Sequence, residues 1–67
     1  MFKLNAKLVR AEILRRGLSL KEFAAQSGLN ALTASKVIRD GASASLKTIG
    51  TLANFFGMDG DELILKS

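Results

Sequence analysis

Asn30, Ala31, Leu32, Thr33, Ser35, Lys36 and Arg39 fall within ten consecutive positions and combine hydrogen-bonding groups, two cations and one large apolar side chain. Such a set can grip a polyanion, and nothing around it suggests bond-making chemistry. The chain contains no Cys and no His, which removes disulfides, zinc fingers, thiol nucleophiles and every histidine-based catalytic constellation. Only Asp, Glu, Lys and hydroxyls remain for acid–base work, in a body of 67 residues too small to enclose a typical substrate pocket. An enzyme is not expected, and no metal or cofactor is called for.

The charge distribution favours the same reading. Ten Lys and Arg against six Asp and Glu give +4. Residues 1–58 carry all but one of the cations and only Glu12, Glu22 and Asp40 as anions, while Asp59, Asp61 and Glu62 crowd the end against Lys66. A basic body with a small acidic end fits a polyanion-binding protein, or simply a solvated, soluble surface. The longest charge-free stretch, Phe23 to Ser35, is interrupted by Gln26, Ser27, Gly28 and Asn30. It falls well short of the ~20 apolar residues of a membrane helix. Met1-Phe2-Lys3-Leu4-Asn5 lacks the apolar core of a signal peptide, so a cytoplasmic place is expected.

The elements that must position these groups are punctuated by caps and glycines, with one domain expected over 1–67. Asn5 can cap a first helix over about Ala6 to Arg16, with Val9 and Ile13 inward and Gly17 as its stop. Arg15 and Arg16 read as a solvated helix end. Ser19-Leu20-Lys21-Glu22 is a capping box that opens a second helix, with Phe23 and Ala24 inward and Gly28 closing it. Asn30 caps a third helix to about Arg39, with Ala34, Val37 and Ile38 inward and Gly41 after it. Ala42-Ser43-Ala44 reads as a loop. Ser45 then caps a fourth helix with Leu46, Ile49, Ala53 and Phe56 as its core stripe, stopped by Gly57. Asp59 and Glu62 form a second capping-box pattern before a last turn with Leu63 and Ile64 inward. The only hints of strand are Phe2-Lys3-Leu4 and Leu63 to Lys66. An all-α, five-helix architecture is predicted.

If Ala34, Val37 and Ile38 face the core, then Ala31, Leu32, Ser35, Lys36 and Arg39 face outward. The two helices around Gly28-Leu29-Asn30 then make a corner whose second member can lie in a DNA major groove. The whole string carries more weight than the corner. It comprises Gly17-Leu18-Ser19, Phe23-Ala24, Gly28-Leu29-Asn30, Thr33, Ser35-Lys36-Val37 and Gly41. Ser45-Leu46, Thr48-Ile49, Leu52-Ala53, Phe56-Gly57-Met58 and Asp61-Glu62-Leu63 complete it. Over about residues 6–64 it resembles the Cro/C1-type (XRE) helix-turn-helix family. The resemblance implies a compact, lambda-repressor-like domain with its helix-turn-helix at about 20–39.

It also implies sequence-specific binding of double-stranded DNA, usually as a homodimer on a near-palindromic operator. The family's base-reading positions fall on Ala31, Leu32 and Lys36, with Thr33 and Ser35 beside them. Ser19, Lys21, Asn30, Arg39, Ser45 and Lys47 are the phosphate candidates, helped by amides at the starts of the second and fourth helices. Asn30 serves equally as a cap. Leu32 would meet a thymine methyl, and Lys36 a guanine or a phosphate. Phe55, Met58, Leu63 and Leu65 are expected at a dimer seam, since so small a domain gains from further burial. Three departures stand out. Leu20 replaces a Gln that touches phosphate; Ile13 and Ile38 occupy the places of a buried Arg–Glu pair; and the glycine after the third helix comes one residue late. The implied role is an operator-binding repressor of phage or mobile-element type. An antitoxin paired with a toxin, or a protein-interaction module on the same fold, are the alternatives. No small-molecule ligand and no membrane contact are indicated.

Overall fold

The computed structural model describes residues 1–65, and within them the caps act where their side chains predict. Asn5 Oδ1 accepts the Leu8 N–H at the head of α1 (Ala6–Arg15), and Ser19 Oγ accepts the Glu22 N–H at the head of α2 (Leu20–Ser27). Asn30 Oδ1 and Ser45 Oγ do the same for α3 (Ala31–Val37) and α4 (Leu46–Phe56). A last turn, α5 (Gly60–Leu63), follows Asp59. Each side-chain oxygen replaces water on an N–H that the helix itself cannot satisfy. Among the described residues the fold is mostly helical, with the five helices expected of an all-α domain.

The capping box of Ser19 and Glu22 is complete, Glu22 Oε1 accepting the Ser19 N–H at 2.9 Å. At Asp59, Glu62 accepts the Asp59 N–H at 3.3 Å, while the Glu62 N–H turns to the Asp59 carbonyl instead. Gly28 (φ 83°) makes the corner between α2 and α3, in a left-handed conformation that a side chain would strain.

Among the described residues, one core is formed by Leu4, Val9, Ile13, Phe23, Ala34, Val37, Ala44, Ile49, Leu52, Ala53, Phe56 and Leu63. Phe23 is its centre, with its ring parallel to Phe56 at 6.0 Å and tilted against Phe55 at 5.8 Å. Offset aromatic contacts of this kind add to the area they bury.

Three expectations are corrected. Ala42-Ser43-Ala44 is not wholly loop: β1 (Phe2–Lys3) pairs antiparallel with β2 (Ser43–Ala44), Phe2 opposite Ala44. The N-terminus is held from the other side by the Leu4–Ile64 bridge and by the Leu65 N–H donating to the Lys3 carbonyl at 2.8 Å. Leu46 is not core. It sits at the first position of α4, where side chains lean back past the helix start, and it stays 68% exposed while Leu52 takes its place in the stripe. α3 ends at Val37 rather than Arg39, with Ile38 as its right-handed cap and Gly41 in the turn beyond.

Candidate nucleic-acid interface

The outward face of α3 follows from its inward one. Ala34 and Val37 are buried in the core and Ile38 is half-buried, so Ala31, Leu32 and Lys36 are turned to solvent. Leu32 is 70% exposed, which confirms the helical phase. Thr33 and Ser35 flank this face half-buried. Arg39 lies beyond the helix end, exposed, and shares a hollow with Lys36, Asp40 and Ser43.

The starts of α2 and α3 also meet. Leu20, Lys21, Ala24 and Ala31 line one shallow apolar hollow, so the start of α2 borders the first position of α3 there. Ser19 and Lys21 are exposed there, as are Ser45 and Lys47 at the start of α4. Asn30 is a cap, its Oδ1 accepting the Thr33 N–H at 2.8 Å.

The helix starts differ in charge. At α2 the Ser19 N–H is already taken by the Glu22 carboxylate. That main-chain bond, and next the Ser19 side chain, hold the Glu22 pKa below its ordinary value. At α4 the first turn has no acidic residue, and the Ser45 hydroxyl lies between the Thr48 N–H and the Thr48 hydroxyl. An approaching anion meets a carboxylate at α2 and an open helix start at α4. Among the described residues the ion pairs are Arg10–Asp40, Arg15–Glu12 and Arg16–Glu12, so Lys21, Lys36, Arg39 and Lys47 carry unpaired charge.

Two arginines have work that the sequence did not disclose. Arg16 is not a solvated helix end: it donates to Glu12 at 2.7 Å and to the Phe56 carbonyl at 3.1 Å, with its guanidinium 5.1 Å from the Phe56 ring. It ties α1 to the end of α4. Arg10 donates to the Ile38 carbonyl and pairs with Asp40. The one signal for both was their place beside the buried stripe of α1, where a long stem lies along a neighbour and delivers its charge further on.

Of the expected seam, Phe55 and Met58 are half-buried against the core and Leu65 is 48% exposed. Leu63 is corrected. It is wholly enclosed in its own core, because α5 folds back toward α1 and α4, and it has no surface to offer a second chain.

Residues 9–63 match the family model described as helix-turn-helix. No curated protein and no solved structure matches the chain.

Proposed function

We propose, from the premise that this chain belongs to the Cro/C1-type helix-turn-helix family, that it is a sequence-specific repressor that acts by occupying an operator. The family binds double-stranded DNA, and the chain is a DNA-binding transcription regulator of that type. One observation carries the finer reading: α3 buries Ala34 and Val37 and presents Ala31, Leu32 and Lys36 on a free face, next to cations that have no ion-pair partner among the described residues. Laid in a major groove, that face would bring Leu32 to a thymine methyl and Lys36 to guanine O6 and N7, with Thr33 and Ser35 at its edges. Lys21, Arg39, Ser45 and Lys47 would then reach phosphates and set the register. Asn30 keeps its cap and would touch DNA only through its amide nitrogen.

The chain would act as a homodimer joined around Phe55, Met58 and Leu65, on half-sites centred about 10 base pairs apart or a multiple of that. Selection from a random duplex pool tests this reading. Recovery of a near-palindrome supports it, and a pool that stays random after repeated rounds rejects it. Salt separates it from a protein-interaction module, the reading that exposed Leu14 and Leu20 beside Ile13 and Ile38 would favour. Binding through several phosphates weakens steeply as salt rises, whereas an apolar protein contact does not.

A further inference from the structure

The third helix is short and weakly held. Its seven residues bury only two small side chains, Ala34 and Val37, and it ends without a left-handed glycine to collect its last carbonyls. The Lys36 carbonyl accepts the Arg39 N–H at 3.1 Å, and the carbonyls beyond it need donors from elsewhere. One donor comes from α1: Arg10 Nη1 donates to the Ile38 carbonyl at 2.6 Å, 28 positions away in the chain. Its other nitrogen, Nη2, lies 3.0 Å from Asp40 Oδ1, in the turn that follows. Arg10 also lines an apolar crevice with Ile13, Leu14, Leu20 and Ile38, so α1, the start of α2 and the cap of α3 border one hollow.

We propose that Arg10 is a positioning residue for DNA reading: it pins the end of α3 to α1 and thereby fixes how Leu32 and Lys36 are presented. The inference rests on the reading of α3 as the DNA-facing helix. Its two arms are unequal. The bond to Ile38 is charge-assisted and partly buried, the stronger class of hydrogen bond. The Asp40 pair is open to water, with Asp40 86% exposed, and contributes little by itself. Asp40 orients the guanidinium, and Arg10 restrains the helix.

The test uses two duplexes at one salt concentration, the one recovered by selection and a random one of equal length. Arg10→Met keeps the stem and removes the fork. It should lower the ratio of selected to random affinity about tenfold, the size of one charge-assisted hydrogen bond, with the salt slope unchanged. An equal loss on both duplexes, with the slope reduced by about one, would make Arg10 a phosphate contact and overturn the proposal. So would an unchanged ratio.

Asp40→Asn alters an exposed side chain and leaves the fold intact, and it removes one negative charge. A merely repulsive Asp40 predicts tighter binding to both duplexes alike, which counts against the clamp. The clamp predicts a ratio lowered about twofold, within the range of exposed pairs. Amide exchange without DNA separates this from failure of the DNA reading. Exchange should quicken in the last turn of α3 in Arg10→Met and stay unchanged in α4. No change in α3 overturns the clamp whatever the DNA measurements give. If Leu32→Ala and Lys36→Ala leave the selected duplex unaffected while α3 exchange still quickens, the base-reading assignment fails and the restraint on α3 stands.

Discussion

α2 and α3 are neighbours of nearly equal length, each begun by a capping side chain and joined through Gly28, yet they are held in different ways. α2 commits its groups to folding. Its start is closed by the reciprocal Ser19–Glu22 bonds, and Phe23 is fully buried in a triangle of rings with Phe55 and Phe56. α3 contributes two small buried side chains and leaves its largest, Leu32 and Lys36, in water. Stability is thus concentrated in one helix and freedom to vary in the other. A recognition surface built this way can change its sequence without unfolding its support.

The largest expected effect lies on the α2 side. Phe23→Ala removes the central ring of the core, and such truncations cost about 3–5 kcal/mol. Native domains hold roughly 0.05–0.15 kcal/mol per residue, so this loss consumes most of what so short a chain has. Urea or thermal unfolding by circular dichroism should show little or no cooperative transition at room temperature. A transition close to wild type would show that the core does not depend on this ring.

Next comes the pair of lysines. Lys36→Ala on the α3 face should weaken binding to the selected operator by roughly 1–3 kcal/mol and relax preference at one or two base pairs. Lys21→Ala at the start of α2 should weaken selected and random duplexes alike, with a shallower salt dependence. Titrations of both variants on both duplexes decide it. Parallel losses for the two variants would reduce Lys36 to a phosphate contact and erase the distinction between the helices.

Local chemistry made most of this contrast legible in the sequence. Asn5, Ser19 with Glu22, Asn30 and Ser45 act within three residues of themselves, so their bonds could be read from spacing alone. The exposed phase of Leu32 followed from Ala34 and Val37. What spacing could not supply were partners set by the closed chain. Arg10 finds Ile38 and Arg16 finds Phe56 across 28 and 40 positions, and Phe2–Lys3 finds Ser43–Ala44 through strands too short to show any alternation. The inward reading of Leu63 held, but its second assignment to a dimer seam failed, and Leu46 was misplaced, for a related reason. Each lies at a helix end, where burial depends on what folds over it rather than on periodicity.

Leu32 offers a finer test of the free face. Leu32→Ala should leave melting unchanged, whereas a buried Leu would cost about 2–5 kcal/mol. It should still weaken the operator complex, and replacing the contacted thymine by uracil should cost about 0.8 kcal/mol in the wild type, one methyl's worth of burial. The two changes together should cost no more than Leu32→Ala alone, the non-additivity of a direct contact. Full additivity would leave Leu32 exposed but not reading the base.

The smallest effects are expected at the first turn of α2, where stability and binding should move in opposite directions. Glu22 is fully exposed, and its pKa sits below the ordinary 4.5 because the Ser19 main-chain N–H, then the Ser19 side chain, favour the carboxylate. A depressed folded pKa gives stability that is present above the unfolded value and lost as pH falls through the folded one. The melting gap between wild type and Glu22→Ala should therefore be constant near neutral pH and close as pH drops below about 4.5. A gap that persisted in acid would mean that the carboxylate charge contributes nothing. On DNA the sign reverses, since the same carboxylate repels phosphate: Glu22→Gln keeps an acceptor for the Ser19 N–H, removes the charge, and should tighten binding to any duplex slightly. The start of α4 provides the converse. Thr48 stands three residues after Ser45, so Thr48→Glu builds there the box that α2 already has, raising the melting temperature and weakening DNA. Unchanged affinity in Thr48→Glu would show that the start of α4 does not face phosphate.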